Sequence, residues 1–415
     1  MEYRTVPKTG EKLPALGFGA MRLPEKAGRI NEAKASEMLR YAIKNGVNYI
    51  DAAVPYHKGQ CESFLGNFLL KEGLRDKVLI ATKLPPWSVR NPEDITRLFD
   101  KQLTDLKTDY IDYYLLHSLS SESWHKLDNL GVKDFLNREK SSGRIKNAGF
   151  SFHGDIGSFK EIVDAYPWEF CQIQYNYLDE NNQAGTEGLR YASKAGLAVI
   201  IMEPLRGGNL AGDIAENIME IWDKSKIRWS PAEWGLRWVW NHPEVTTVLS
   251  GMSTMDQITE NIKSADNGLP DSLSQDDLRV IDEVRDKYKE AMKVGCTGCR
   301  YCMPCPAGVD IVFCFEYYNS YHMFKNGNWA KWQYVFRNYG LMDGKMSYAS
   351  LCTDCGRCRK ACPQHLDIPL LLKDVAKEFD SPKTRIFVAI AGVYLGISSK
   401  ISGLFRRKKG SAERP

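Results

Sequence analysis

Cysteine is almost missing from the first 295 residues of the chain, where only Cys61 and Cys171 occur. Two isolated thiols make no disulfide framework, so this stretch has to be held together by a buried core. An excess of charge of one sign is missing too. The 56 Lys and Arg against 52 Asp and Glu leave a net +4, too slight to argue for nucleic acid. The start, "MEYRTVPKTGEKL", carries no apolar h-region, and no secretory signal is expected. The longest apolar run, "IFVAIAGVYLGI" from Ile386 to Ile397, is about half of what a bilayer span needs. A cytoplasmic setting is the expectation. No G-x-G-x-x-G is present, so the glycines of "GFGAM" are not a dinucleotide fingerprint.

What the chain does have is length and periodicity. Its 415 residues, 43% of them hydrophobic, exceed one average domain. Eight β-rich runs recur through about residue 265: "ALGFGAM", "VNYIDAA", "VLIATKL", "YIDYYLLHS", "IKNAGFSF", "FCQIQYNYL", "LAVIIMEPL" and "TTVLSGM". Helix-period segments lie between them. In "NEAKASEMLRYAIKNG" the residues Ala35, Met38, Leu39, Ala42 and Ile43 share one face and Gly46 offers a stop. In "PEDITRLFDKQLTDL" the face is Ile95, Leu98, Phe99 and Leu106. Alternation of this kind predicts parallel strands with right-handed crossovers, and the count favours a closed (β/α)8 TIM barrel over an open sheet. "YRTVPKTGEKLPA" reads as a hairpin able to plug the barrel's N-terminal mouth. The expected organisation is a barrel over 1–270, a linking helix over 271–293, a small, mainly helical iron–sulfur domain over 294–375 and a tail over 376–415.

Barrel enzymes place their chemistry where the strands end. Asp51 follows "VNYI", Lys83 follows "VLIAT", His117 follows "YIDYYLL", and Tyr56 lies five residues past Asp51. Singly, each reads as a structural or surface residue. On three successive strands they form a set. "DAAVPYH", "ATKLP" and "YYLLHS", with "AGFS", "QIQYN", "EPLRGG" and "GMSTMDQITEN" further on, resemble the aldo-keto reductase superfamily in order over residues 1–265.

That resemblance implies reduction of an aldehyde or ketone by NADH or NADPH, or oxidation of an alcohol. Tyr56 would be the proton donor, Lys83 the ammonium that lowers the pKa of its phenol, Asp51 the anchor of Lys83, and His117 the group that orients the carbonyl. Ser151 and Gln172 would hold the nicotinamide carboxamide, with Met202 where many relatives stack an aromatic ring. Leu205 to Gly208, Gly207 included, would hold the pyrophosphate. Gly251, Gln257, Glu260 and Asn261 would serve the adenosine end. Gly251 and Gln257 stand where NADPH-specific relatives place cations, which leans the reading towards NADH.

The missing cysteines are concentrated beyond residue 295, nine of the eleven. Cys352, Cys355, Cys358 and Cys362-Pro363 spell C-x2-C-x2-C-x3-C-P, the spacing of a bacterial [4Fe–4S] ferredoxin, with structural zinc as the plainer alternative. Cys296, Cys299, Cys302 and Cys305-Pro306 form a motif one residue shorter. By the two-cluster rule Cys296, Cys299 and Cys302 join Cys362, while Cys352, Cys355 and Cys358 join Cys305. Cys61, Cys171 and Cys314 read as small hydrophobes. The aromatic stretch from Phe315 to Gly340 reads as helices shielding the clusters, or as a substrate platform. This part resembles the C-terminal ferredoxin-like domain of certain bacterial and archaeal aldo-keto reductase relatives.

Nicotinamide gives two electrons as a hydride and a cluster accepts one at a time. No flavin signature bridges them, so the clusters work with an external ferredoxin or flavoprotein, or are structural or sensory. The leading reading is an oxidoreductase acting on a small carbonyl substrate. The alternative is an iron–sulfur electron carrier or redox sensor whose barrel is chiefly scaffold. Membrane contact through a basic amphipathic helix at 386–409 is a further reading of the tail.

Overall fold

The computed structural model describes residues 1–388 except 213, 297, 299, 300, 325, 326, 341–345, 363, 385 and 387. The expected tail helix at 386–409 therefore falls mostly outside the described residues, as does Cys299. Two compact units emerge, Met1–Arg285 and the residues from Asp286 onward.

The first unit is a closed barrel of eight parallel strands: β1 (Leu16–Gly19), β2 (Tyr49–Asp51), β3 (Leu79–Leu84), β4 (Ile111–Leu119), β5 (Ile145–Phe152), β6 (Phe170–Gln174), β7 (Ala198–Met202) and β8 (Val245–Ser250). Each overlaps one of the eight apolar runs, with β4 and β8 reaching one residue beyond theirs, to Leu119 and back to Val245. Every strand pairs with its sequence neighbours, and β8 closes on β1 through Val248 opposite Leu16 and Ser250 opposite Phe18. Helices follow each strand and cover the barrel.

Their apolar stripes do the covering. In Glu32–Lys44 the residues Ala35, Met38, Leu39 and Ala42 are buried, while Ile43 is half-buried. Asn31 caps the start by accepting the Lys34 amide, and Gly46 past the end takes φ +94°, a region that favours glycine. In Pro92–Leu106 the buried face holds Ile95, Phe99 and Leu106 as expected, with Gln102 and Leu103 added and Leu98 only half-buried. This helix crosses Cys61–Glu72 closely at Gly66, where a Cβ would lie 2.3 Å from the Asp105 carbonyl oxygen.

Tyr3–Thr5 and Lys12–Pro14 form the expected antiparallel hairpin. Its Val6 and Leu13 pack against Tyr49, Ala81, Tyr113, Leu115, Phe170, Ala198 and Ile200 inside the barrel. Tyr113 donates to Glu11, and Lys8 to the Trp168 carbonyl. These contacts floor the barrel at the N-terminal ends of its strands.

In the second unit, helices Ile311–Met323, Gly327–Asn338 and Ile368–Phe379 supply Phe315, Tyr334, Leu372 and Phe379 to one apolar core. Asp380 ties it together, accepting from Tyr334 at 2.8 Å, Tyr339 at 3.0 Å and the Ser350 amide at 2.8 Å. Among the described residues no helix is long and apolar enough to cross a membrane.

Candidate active site and cysteine cavity

Asp51 closes β2, Lys83 sits one residue before the end of β3, and His117 two before the end of β4. Register explains the convergence: Asp51 pairs with Ala81 and Lys83 with Leu115, so these side chains point to one end of the barrel. Lys83 Nζ donates to Asp51 Oδ1 at 2.6 Å, to the Ala52 carbonyl at 2.8 Å and to the Tyr56 hydroxyl at 3.3 Å. The Tyr56 hydroxyl also reaches Asp51 Oδ2 at 3.5 Å, and its ring meets His117 edge-on at 6.5 Å.

Tyr56 opens a turn in which His57 (φ 51°) and Lys58 (φ 57°) are left-handed, a strained region for residues with a Cβ. His57 holds the turn, with Nδ1 2.7 Å from Glu25 and Nε2 3.0 Å from the Ala20 carbonyl. Behind Lys83, buried Gln102 donates to the Lys83 carbonyl at 3.0 Å and to Glu62 at 2.8 Å, and accepts from Tyr114 at 2.9 Å. This polar network fixes the strand that carries the lysine.

Electrostatics follow from burial. Burial disfavours charge on Lys83, yet Asp51 and then Tyr56 outweigh it and hold the ammonium above the ordinary lysine range. Burial pushes the Tyr56 phenol up to about 12; Lys83 pulls against this, and Asp51 adds to it. The expected lowering of the phenol by its lysine is thus real in sign but smaller than desolvation. Burial, Lys83 and His153 push His117 down to about 2, which leaves a neutral imidazole at ordinary pH. Its Nδ1 is buried with no hydrogen-bond partner. Exposed Trp87 lies 5.1 Å from the His117 ring, a neighbour detectable in the sequence only as the aromatic four residues past Lys83.

The residues expected to hold a nicotinamide coenzyme lie on β5 to β7 and in the segments that follow β7 and β8. Ser151, at the end of β5, accepts the Ser118 amide at 2.7 Å. Gln172 in β6 faces Met202 at the end of β7, its Nε2 3.7 Å from Sδ, while its buried Oε1 has no partner. That orphaned acceptor is what an amide N–H of a carboxamide would satisfy, so the pocket suits the group. Leu205 leads into the turn Arg206–Gly208, where Gly207 takes φ +68°. Gly251 follows β8. Gln257, Glu260 and Asn261 are engaged within the protein: Gln257 accepts the Ser253 amide at 2.8 Å, Glu260 accepts from Ser230, and buried Asn261 donates to Ser250 at 3.0 Å.

In the second unit Cys302, Cys305, Cys352, Cys355 and Cys358 line one cavity of about 130 Å³ with Tyr301, Arg357 and Ile311. Cys305 stands here with the three cysteines of the later motif, and so does Cys302, which the two-cluster rule gives to the other cluster. Cys296 packs half-buried on the same core, and Cys362 is buried in it. Among the described residues, no three cysteine, histidine or acidic side chains gather as they would around a single metal ion. A wall of thiols around a cavity suits a cluster better than one zinc. Cys314 is buried and accepts from Asn338 at 3.5 Å, the packing role expected of it.

The family models agree with both halves. Residues 15–286 match the aldo/keto reductase family and residues 295–366 a 4Fe-4S dicluster domain. Protein tas of Escherichia coli is 26% identical over 69% of this chain and 99% of its own length. L-galactose dehydrogenase of Arabidopsis thaliana is 23% identical over 70% of this chain and 96% of its own. The crystal structure of an aldo-keto reductase from Klebsiella pneumoniae in complex with NADPH has a TM-score of 0.55 at 23% identity, covering 69% of this chain and 96% of that one. With its eight-stranded barrel and a match across most of its length, the chain belongs to the aldo/keto reductase family and continues into a 4Fe-4S dicluster domain.

Proposed function

We propose that the barrel interconverts an aldehyde or ketone with its alcohol, using NADH or NADPH. The observation that carries this reading is the contact of the Tyr56 hydroxyl with Lys83 at 3.3 Å beside a neutral His117. When bound, the coenzyme supplies the hydride. Neutral His117 offers an N–H to the carbonyl oxygen, and Tyr56, protonated across the neutral range, delivers its hydroxyl proton as that oxygen becomes an alkoxide. Lys83 stabilises the phenolate left behind, and Asp51 keeps Lys83 charged and in place. Ser151 and Gln172 hold the carboxamide. The relatives' own names, a dehydrogenase and two methylglyoxal reductases among them, support chemistry at a carbonyl.

In this reading the C-terminal domain carries two [4Fe–4S] clusters, one on Cys305, Cys352, Cys355 and Cys358 and the other on Cys296, Cys299, Cys302 and Cys362; the dicluster family match supports it. Thiolates kept for iron fit a reducing cytoplasm, and a ferredoxin or flavoprotein is the class of partner that would exchange single electrons with them. The test is anaerobic purification, then NADH and NADPH oxidation against a panel of aldehydes and ketones. The reading expects turnover in the native protein and its loss in Tyr56→Phe with iron content unchanged. No turnover on any carbonyl or alcohol, or equal turnover in Tyr56→Phe, would sink it.

A further inference from the structure

Helix Gly327–Asn338 carries aromatic rings on both of its faces. Ala330, Tyr334, Val335 and Asn338 are buried, and Tyr334 and Val335 belong to the apolar core of the second unit. On the opposite face Trp329, Trp332 and Phe336, spaced i, i+3 and i+7, are exposed by 56%, 44% and 42%. The Trp332 and Phe336 rings lie 6.3 Å apart, so these side chains make one stripe rather than scattered contacts with water. Two indoles and a phenyl ring gathered on the solvent side of one helix are apolar surface kept for contact.

Charge says what the stripe meets. Between Lys325 and Gly340 the sequence has Lys325, Lys331 and Arg337 and no Asp or Glu. Residues 381–415 hold eight Lys and Arg against one Glu, a balance of +7 that leaves residues 1–380 at −3. The chain's positive charge is therefore gathered at one end. That end leaves the fold beside the stripe helix, because Asp380 accepts from Tyr334 at 2.8 Å and Lys331 donates to the Glu378 carbonyl at 2.7 Å. Its uncharged run from Ile386 to Ile397 is too short to cross a bilayer. Indole rings favour the headgroup level of a membrane, and clustered cations are drawn to anionic lipid. A second copy of the chain would bring the same cations to the contact and be repelled.

We propose that the stripe of Trp329, Trp332 and Phe336, together with the cationic residues from 381 onward, seats the protein on the surface of an anionic phospholipid bilayer without crossing it. The rings enter the headgroup level and the cations hold the negative surface. Neither half suffices: a polar stripe loses the apolar burial, and a neutral end loses the attraction that brings the stripe there. This stands independently of the reductase reading and adds a location to it.

The test is co-sedimentation of the anaerobically purified full chain with vesicles of phosphatidylcholine, alone or mixed with phosphatidylglycerol. One variant pairs Trp329→Gln with Trp332→Gln; another combines Arg406→Gln, Arg407→Gln, Lys408→Gln and Lys409→Gln. The inference expects wild type to bind the mixed vesicles on the order of tenfold better than the neutral ones, and each variant to lose binding to them by a similar factor. Added salt should weaken the wild type. Both indoles are exposed, so melting temperature and iron content should stay unchanged in the Trp variant. Phe336→Gln gives a separate reading of the same face should that pair fold poorly. Wild type that ignores the mixed vesicles, equal binding to neutral ones, or full binding by both stripe variants would overturn the inference. A dimer dispersed by the Trp pair, with no vesicle binding, would assign the stripe to a second copy instead.

Discussion

Lys83 and Asp51 form an ion pair at 2.6 Å that is almost sealed from water, with side-chain exposures of 1% and 4%. In such a place either charge alone is costly, which makes the pair a joint requirement of fold and chemistry. Lys83→Met should abolish turnover and cost about 3–5 kcal/mol of stability, because it strands a buried carboxylate. Asp51→Asn paired with Lys83→Met should recover stability without recovering activity. Denaturant melts of the single and double variants check this. A single variant as stable as wild type would show the pair to be energetically idle.

The pH behaviour divides between two groups. Tyr56 sits near 12 and His117 near 2, so neither changes charge between pH 5 and 9. Carbonyl reduction should show no step near the ordinary histidine value of 6.5. Stability should behave otherwise. His117 stays neutral in the folded state but takes a proton in the unfolded chain below about pH 6.5. Unfolding is then favoured by roughly 1.4 kcal/mol for each pH unit below that value, until the folded group titrates. His117→Gln should flatten this slope in melts run from pH 7 to pH 4.

Iron content should follow the cavity. Cys305→Ser removes one of the five thiols that line the cavity, the one that the two-cluster rule joins to Cys352, Cys355 and Cys358. Anaerobically purified protein should fall from about eight iron atoms per chain towards four. Cys314→Ala, which removes buried contacts with Asn338 and the Ser347 carbonyl, should keep its full complement. Iron and sulfide assays decide, and loss in the second variant would point to a different ligand set.

Gly66→Ala tests the helix crossing. A methyl group there meets the Asp105 carbonyl at 2.3 Å, so the two helices must part. The cost should be about 1–3 kcal/mol, as for overpacked cores, and a lowered melting temperature is the readout. Since helix Cys61–Glu72 follows the Tyr56 turn, a rise in KM should accompany it.

Much of this architecture can be read in the sequence, for identifiable reasons. Strands buried on both faces become unbroken apolar runs, so all eight stand out, and an ionisable residue breaking such a run, as Asp51, Lys83 and His117 do, marks a strand end. Gln102 is hidden because a helix face that buries an amide looks polar. The Tyr56 phenol shows a second limit. Residue types announce that an ammonium will sit beside it, but only packing reveals that lost water outweighs that neighbour.

The Tyr3–Pro14 hairpin has a consequence for traffic. With Val6 and Leu13 wedged beneath Tyr49, Tyr113 and Phe170, the barrel is a dead end. Whatever the barrel handles must arrive and depart by the same doorway, so a compound lodged at that lip would bar coenzyme, reactant and product in one stroke.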